Sequence, residues 1–222
     1  MFKEQLYTQF ARIGKALASP ARLGLLDLLA QGERPVEGLA REAGLSVANA
    51  SAHLQGLRCA YLITGRKEGR HVYYRLADPT AYRLWSALRQ VGGRQLAEID
   101  RLVTTYLHGR QELEAISRDE LVRRLSEGTV EVLNARPAIE YGQGHIRGAL
   151  SLPVSDLEAR LHELATAQEV VAYCRGPYCI FADEAVTILR AHGFRARRYE
   201  EGYPDWVAAG LPVARVDQAI GA

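Results

Sequence analysis

The sequence predicts two domains: a mainly α winged helix-turn-helix over residues 1–110, and an α/β domain with a central parallel sheet over residues 119–222. Residues 111–118 are the predicted linker. In the first half, two short helical patterns flank a glycine turn, and in the second, strand patterns alternate with helical ones. The charge divides in the same way, because residues 1–110 carry 16 Lys and Arg against 9 Asp and Glu, whereas residues 111–222 carry 12 against 17. The basic first half is therefore the expected partner of a polyanion.

The first two helices are expected to form a core or a dimer interface. Residues 3–18 place apolar side chains at helical spacing, and Ser19-Pro20 ends this helix and starts another. Residues 21–30 are too rich in leucine for a solvated helix. Val36 to Gly44 is a short helix ended by glycine, and Ser46 is placed to cap the next helix, Val47 to Arg58.

A tight glycine turn between two short helices is typical of DNA-binding proteins whose second helix enters the major groove. In the second helix, Ala50, Leu54 and Leu57 lie at i, i+4 and i+7, so they are expected to pack inward. Small and amide side chains occupy the opposite face, and Asn49 and Gln55 are the candidates for reading base edges. The candidate DNA-binding residues of this region are Ser46, Asn49, Ser51, His53 and Gln55.

A basic hairpin is predicted to follow the second helix. Residues 61–64 and 71–76 have strand patterns, and residues 65–70 form a glycine-bounded tip between them. Arg66, Lys67 and Arg70 in this tip are candidates for contacts with DNA phosphates. The arrangement predicts a winged helix.

Three motifs of this half resemble the ArsR family of dimeric bacterial repressors over about residues 6–105. They are R-L-G-L-L-D-L-L (Arg22 to Leu29), G-L-S-V-A-N-A-S-A-H-L-Q-G-L (Gly44 to Leu57) and the wing G-R-K-E-G-R-H-V-Y-Y-R-L. The resemblance implies a homodimer on double-stranded DNA with a palindromic operator, and makes residues 80–110 a long dimer helix and linker.

Metal sensing is usual in that family but is not expected in this chain. The helix over residues 36–44 contains no cysteine, and the last helix of the domain offers only Asp100, His108 and Glu112. A His and a Glu four residues apart on an exposed helix more often form a solvated face than a metal site. No metal and no cofactor is predicted.

The second half is predicted to begin with a helix over residues 119–127 and a strand over residues 130–133, after a polar helical connector over residues 110–118. A further helix is predicted over residues 154–165. The stretch V-V-A-Y-C-R-G-P-Y-C-I-F (Val170 to Phe181) then predicts a buried strand that delivers Cys174 to a turn before a helix. A helix N-terminus and a neighbouring arginine lower the pKa of a thiol, so Cys174 is a candidate nucleophile.

Four segments in this half resemble the rhodanese family of sulfurtransferases, over roughly residues 117–213. They are V-E-V-L-N-A-R-P (Val130 to Pro137), E-Y-x-x-G-H-I-R-G-A-L (Glu140 to Leu150), the loop C-R-G-P-Y-C, and G-Y-P-D-W-V-A-A-G-L-P-V (Gly202 to Val213). The resemblance implies that Cys174 accepts sulfur as a persulfide within a cradle of six residues. The candidate catalytic residues are Cys174, Arg175, Gly176, Tyr178 and Cys179.

Some roles in this loop stay open from the sequence. Cys179 is either a resolving thiol for Cys174 or a small residue that closes the loop, and Arg175 either stabilises an anionic sulfur species or is solvated. The resemblance also implies an aspartate where this chain has Asn134, so a negative charge is missing beside Arg136. His145 is expected to be structural, and Cys59 is expected to pack among apolar residues.

Composition excludes two other classes of protein. No apolar run approaches the length of a membrane span, and the N-terminus lacks the pattern of an export signal. Three cysteines do not make a disulfide framework, so the expected compartment is a reducing cytoplasm.

Together, these features predict a transcription regulator whose DNA affinity is set by sulfur or redox chemistry at Cys174. Two alternatives remain: a working sulfurtransferase that its winged helix recruits to a partner, and a thiol-dependent reductase of oxyanions such as arsenate.

Overall fold

The computed structural model of the protein describes residues 1–107, 113–165 and 167–216. The chain forms two compact units, Met1–Arg89 and Gln90–Ala222. Within the described residues, no helix combines the length and the apolar composition needed to cross a membrane.

The first unit contains five helices and a small sheet among its described residues. They are α1 (Phe2–Leu17), α2 (Pro20–Ala30), β1 (Arg34–Pro35), α3 (Val36–Glu42), α4 (Val47–Cys59), β2 (Ile63–Glu68), β3 (His71–Leu76) and α5 (Pro79–Gln95), which continues past the end of the unit. The strands are antiparallel in the order β1-β3-β2.

The predicted helix-turn-helix is confirmed. Gly44 has a φ of 64° in the turn, a conformation that glycine adopts without steric cost. The side chain of Ser46 accepts a hydrogen bond from the backbone N–H of Asn49 at 3.2 Å, which caps α4 as predicted. Ala50, Leu54 and Leu57 are all fully buried in the core of the unit.

The wing is confirmed, but its tip is shorter than predicted. Strand β2 runs on to Glu68 and pairs with β3 along its whole length, so Arg66 and Lys67 lie on a strand. Only Gly69 and Arg70 form the turn, and Gly69 takes a φ of 58°. The strand pairing satisfies backbone groups that a flexible tip would leave to water.

The prediction of one long helix over residues 80–110 is wrong, because the structure has two helices there. The helix is broken at Leu96, whose backbone is extended, and a second helix α6 (Ala97–Tyr106) follows. Gly92 and Gly93 precede the break, and each glycine lowers the preference for helix by roughly 1 kcal/mol relative to alanine. The end of that predicted helix, with the metal candidates His108 and Glu112, lies outside the described residues.

The second unit also contains α6 and is built on a five-stranded parallel sheet in the order β4-β9-β8-β5-β7. Its strands are β4 (Ala115–Ile116), β5 (Val130–Asn134), β6 (His145–Ile146), β7 (Leu150–Ser151), β8 (Glu169–Cys174), β9 (Ala196–Gly202) and β10 (Val213–Ala214), of which β6 and β10 form a separate antiparallel pair. Its later helices are α7 (Arg118–Glu127), α8 (Ala138–Gln143), α9 (Val154–Leu157), α10 (Phe181–Ala191) and α11 (Tyr203–Ala208).

Two predicted helices of this unit are corrected. The connector was expected to be helical, but Ala115–Ile116 is an edge strand that pairs with β9; residues 111–112 of the predicted linker lie outside the described residues. The helix predicted over residues 154–165 is the short α9 followed by a 3-10 helix, Glu158–Glu163. In both cases tertiary packing overrides the local pattern.

Strand β8 has both faces buried, as a central strand of a parallel sheet must. Val170, Ala172 and Cys174 face one apolar core together with α10, whereas Val171 and Tyr173 face a second core with α11. This alternation places Cys174 on the α10 side of the sheet.

We predict that Ser46→Ala lowers the free energy of unfolding of the first unit by about 1 kcal/mol, because α4 loses its N-cap. Urea denaturation followed by the fluorescence of Trp85, in a Trp206→Phe background, measures the change. Ser51→Ala, on the exposed face of the same helix, is the matched control and is expected to change stability by less than about 0.5 kcal/mol. Equal losses in the two variants would contradict the capping role.

Candidate active-site loop and nucleic-acid interface

The candidate active-site loop leaves the sheet at Cys174, the last residue of β8, and ends where α10 begins at Phe181. A turn from Gly176 to Cys179 is closed by a hydrogen bond from the N–H of Cys179 to the carbonyl of Gly176 at 3.1 Å. At the start of the loop, Cys174 is paired in register with Gly202 at the end of β9. The loop therefore lies at the carboxyl edge of the parallel strands, where ligands bind in open α/β sheets.

The two cysteines of the loop are joined by a disulfide, and their Cα atoms lie 6.3 Å apart. Cys174 is 1% exposed, whereas Cys179 is half-buried. The candidate nucleophile is thus present in its oxidised form. The sulfur of Cys179 thus reaches that of Cys174, and the role of Cys179 as a resolving thiol stays a prediction.

Gly202 allows the loop to pack against the end of β9. A Cβ atom at this position would lie 2.4 Å from the backbone N of Gly176 and 2.5 Å from the backbone C and O of Arg175. Such distances are not tolerated between backbone atoms and a side chain, so position 202 holds the loop only as glycine. The sequence analysis included Gly202 in the G-Y-P-D-W segment but assigned it no role of its own.

Arg175 is anchored to a buried carboxylate. Its Nε and Nη2 donate to Oε1 of Glu140 at 2.9 and 2.5 Å, and its guanidinium lies 5.6 Å from the centre of the Phe181 ring. Glu140 is 1% exposed, so this ion pair is largely shielded from water. The role predicted for Arg175, stabilising an anionic sulfur species, stays a prediction, and its guanidinium is on Glu140 in this state.

The same carboxylate faces a second arginine that is completely buried. Arg136 Nη1 lies 3.9 Å from Oε2 of Glu140, while its Nε donates to Oδ1 of Asn134 at 2.8 Å and its Nη2 to the carbonyl of Gly144 at 2.6 Å. The guanidinium also lies 4.2 Å from the centre of the Tyr203 ring. Glu140 therefore supplies the negative charge that Asn134 lacks.

Glu140 was missed as a functional residue from the sequence. The signal was its position four residues after Arg136, which brings the two side chains together at the start of α8. Nothing local indicates Arg175 as the other partner, because 35 residues separate it from Glu140.

Of the other residues near the candidate active site, Tyr178 and Gly176 belong to the loop itself, whereas His145 and Tyr173 are buried in the domain. Tyr178 lies in the loop and is 43% exposed. The backbone N of Gly176 packs against Gly202. His145 is buried, stacks on Tyr141 with ring centres 3.7 Å apart, and its Nδ1 lies 2.9 Å from the Tyr141 carbonyl oxygen, in agreement with a structural role. Burial raises the pKa of Tyr173 to about 12, and its hydroxyl oxygen accepts a hydrogen bond from the N–H of Ile146 at 3.1 Å.

The candidate nucleic-acid interface is the outward face of α4. Asn49, Ser51 and Gln55 are exposed there, and His53 is half-buried beside them. Ser46 is exposed as well, but its side-chain oxygen is engaged as the helix cap. The fold thus brings the predicted base-reading residues to one accessible surface, and their contact with DNA stays a prediction.

The basic residues of the wing are not equivalent. Arg66 donates to Oε1 of Glu33 at 2.8 and 2.5 Å, also pairs with Glu68, and lies 4.8 Å from the centre of the Tyr73 ring. Lys67 and Arg70 are exposed. Because two carboxylates already face Arg66, Lys67 and Arg70 are the better candidates for phosphate contacts.

The predicted burial of Cys59 is wrong. Cys59 is an exposed free cysteine at the last position of α4, and Nε2 of Gln55 lies 3.8 Å from its sulfur. It follows Leu57 by two residues, about 200° around the helix, so it cannot share the inward face of Ala50, Leu54 and Leu57.

Within the described part of the chain, no group of three His, Cys, Asp or Glu side chains is arranged to hold a metal ion.

Comparison with known proteins identifies both halves. Residues 19–64 match the family described as bacterial regulatory protein, arsR family, and residues 117–209 match the rhodanese-like domain. The chain is 43% identical over 211 residues to the HTH-type transcriptional regulator Rv0324 of Mycobacterium tuberculosis, covering 95% of this chain and 92% of that protein.

Two solved structures are similar to one half each. The homodimeric winged helix-turn-helix DNA-binding domain of a possible ArsR-family regulator from Mycobacterium bovis is 46% identical, with a TM-score of 0.41, over 42% of this chain and 87% of that one. A rhodanese-related protein from Thermoplasma volcanium is 23% identical, with a TM-score of 0.41, over 46% of this chain and 97% of that one.

We predict that Glu140→Gln lowers the free energy of unfolding of the second unit by about 3–5 kcal/mol, because Arg136 is left buried without a counter-charge. The measurement is urea denaturation followed by the fluorescence of Trp206 in a Trp85→Phe background. Glu127→Gln, which removes the exposed partner of Arg123, is the control and is expected to cost less than about 1 kcal/mol. If both variants lose the same free energy of unfolding, Glu140 contributes no more to stability than an exposed ion-pair partner does.

We predict that Gly202→Ala displaces the loop at Arg175 and Gly176 and destabilises the second unit by about 1–3 kcal/mol, as overpacking does. The displacement also lowers the fraction of Cys174–Cys179 disulfide at a fixed ratio of oxidised to reduced dithiothreitol, which thiol trapping and mass spectrometry measure. Gly142→Ala is the control, since a Cβ there meets nothing within 4 Å. An unchanged disulfide fraction in Gly202→Ala contradicts the prediction.

Proposed function

Because this chain belongs to the ArsR family of bacterial regulatory proteins, as a transcriptional regulator with a rhodanese-like domain, we propose that sulfur chemistry at Cys174 controls its affinity for an operator. The observation that carries the proposal is the pairing of Cys174 with Cys179 in one short loop. A thiol that can be trapped by its neighbour records a reaction as a change of covalent state, which is what a sensor requires.

The chemistry proceeds in two steps in which atoms and electrons balance. The thiolate of Cys174 attacks a sulfane sulfur of an inorganic polysulfide, and the bond to the rest of the polysulfide breaks, with its electron pair leaving on the shortened chain. The thiol of Cys179 then loses its proton and attacks the inner sulfur of the Cys174 persulfide, expelling hydrosulfide. The two cysteines are oxidised to a disulfide, the sulfane sulfur is reduced to sulfide, and a cellular dithiol resets the loop.

The surroundings of the loop support a response to this change. Arg175 follows Cys174 directly and is tied to buried Glu140, while Cys179 lies two residues before α10. Forming or breaking the disulfide therefore acts on a segment held at both ends. Such a change alters DNA affinity only if the two covalent states favour different DNA-binding conformations, by a coupling of about 1–3 kcal/mol.

On the DNA side, we propose a homodimer that places two α4 helices on a palindromic operator in the cytoplasm. The exposed apolar side chains Phe2, Tyr7 and Phe10 on α1 and Leu88 on α5 support a dimer, because a monomer would leave them in water. Asn49 and Gln55 are the proposed base-reading residues, and Lys67 and Arg70 the proposed phosphate contacts.

A sulfurtransferase is the second candidate, favoured by the rhodanese-like match over residues 117–209. A resolving thiol five residues from the nucleophile argues against sustained turnover, since it consumes the persulfide before an acceptor can take it. Thiol-dependent reduction of arsenate is a third candidate, because the same two cysteines could supply its electrons.

The test is an operator gel shift at fixed salt, with an operator selected from random duplexes by the reduced native protein. We expect polysulfide to change the affinity of the native protein by roughly 5- to 150-fold. Cys174→Ser should show no change, and Cys59→Ser, which removes the exposed thiol, should respond as the native protein does. Intact mass distinguishes a persulfide, a gain of about 32 Da, from a disulfide, a loss of about 2 Da.

Equal affinity with and without polysulfide in the native protein and in Cys174→Ser ends the sensor proposal. Steady conversion of thiosulfate and cyanide to thiocyanate, without ligand-dependent release of DNA, favours the sulfurtransferase. Loss of arsenate that depends on a thiol and is abolished in Cys174→Ser favours the reductase.

A further inference from the structure

A surface cleft with a volume of about 360 Å³ lies in the first unit, where α1, α2 and the end of α4 meet. Its lining residues share a basic or small character; they are Arg12, Lys15, Ala16, Arg22, Gly56, Cys59 and Ala60. None of these seven is acidic. The volume falls in the range of sites that bind small molecules.

The cleft carries more positive charge than the backbone around it can neutralise. Arg22 donates to the carbonyls of Lys15 and Ala16 at the end of α1, at 2.7 and 2.5 Å, and Arg12 donates to the carbonyl of Cys59 at the end of α4, at 3.3 Å. Each helix C-terminus is equivalent to about half a negative charge. Three cations against two such ends leave a residual charge of about +2.

The cleft lies at the C-terminal end of α4, one helical turn from the proposed base-reading residue Gln55, whose Nε2 is 3.8 Å from the sulfur of Cys59. Helix α4 has 13 residues and is therefore about 20 Å long, with Ser46 and Asn49 at one end and Cys59 at the other. Recognition helices contact bases mainly through their N-terminal residues. Arg12, Lys15 and Arg22 are not among the residues proposed to contact DNA, so their positive charge has no assigned partner in the proposed complex with DNA.

We propose that this cleft binds a small polyanion that carries at least two negative charges on phosphate or carboxylate groups. The cations of α1 and α2 supply the charge, and the open side of the cleft admits the ligand. Because Arg12 also holds the last turn of α4, the bound ligand would sit beside the anchor of the recognition helix. This site is independent of the sulfur chemistry proposed for the second unit.

Cys59 provides a built-in reporter, since it lines the cleft and is exposed. In the full-length Cys174→Ser/Cys179→Ser protein it is the single remaining thiol of the three in the sequence. Its thiolate attacks an aromatic disulfide, one aryl thiolate leaves, and a mixed disulfide forms. The probes are dianionic dithiobis(nitrobenzoate) and neutral dithiodipyridine. We expect the ratio of the two rates, dianionic over neutral, to exceed that of free cysteine by roughly tenfold at low salt.

Ligand binding is measured as protection of Cys59 from the neutral probe at constant ionic strength. We expect protection by inorganic pyrophosphate, by citrate or by both; pyrophosphate alone identifies a phosphate ligand, and citrate alone a carboxylate ligand. Arg12→Gln and Lys15→Gln should each reduce the rate ratio and the protection several-fold. Lys3→Gln, an exposed lysine on the same helix that does not line the cleft, should leave both unchanged.

Three results overturn the proposal. One is a rate ratio equal to that of free cysteine, and another is an equal effect of Lys3→Gln and Lys15→Gln, which would indicate only the general charge of the domain. The third is protection by a short DNA duplex at lower concentration than by pyrophosphate or citrate, which would make the cleft a DNA contact. None of these measurements depends on the polysulfide response of Cys174.

Discussion

The candidate active-site loop of the second unit depends on the ion pairs that the buried carboxylate of Glu140 forms with two arginines. This carboxylate lies against the fully buried Arg136 and accepts two hydrogen bonds from Arg175. An isolated buried guanidinium would be strongly unfavourable, so Arg136 requires an acidic neighbour, and Asn134 cannot provide one. Glu140 meets this requirement and, through its other oxygen, connects the core of the domain to the residue that follows Cys174.

The loop is therefore constrained from three directions. Arg175 is held by Glu140, the backbone of Gly176 packs on Gly202, and Cys179 leads directly into α10. Cys174 itself is buried on the α10 face of the sheet. A covalent change at either sulfur therefore acts on a loop that is held from three sides, which is the physical basis of the signalling role proposed for the pair.

The first unit stabilises its recognition helix at both ends by satisfying backbone groups. Ser46 accepts an N–H at the start of α4, and Arg12 donates to the carbonyl of its last residue, Cys59. The fully buried stripe of Ala50, Leu54 and Leu57 fixes the rotation of the helix between them. As a result, the polar face that carries Asn49 and Gln55 is presented outward with little freedom to turn.

The sequence by itself determined the two domains, the helix-turn-helix, the wing and the loop after β8, because caps, glycine turns and apolar periodicity act between residues close together in the chain. Only the tertiary structure decided that Glu140 pairs with Arg175 across 35 residues, that the sulfur of Cys179 reaches that of Cys174, and that Arg66 faces Glu33. These outcomes depend on which distant side chains meet, and a linear pattern does not encode distances in space.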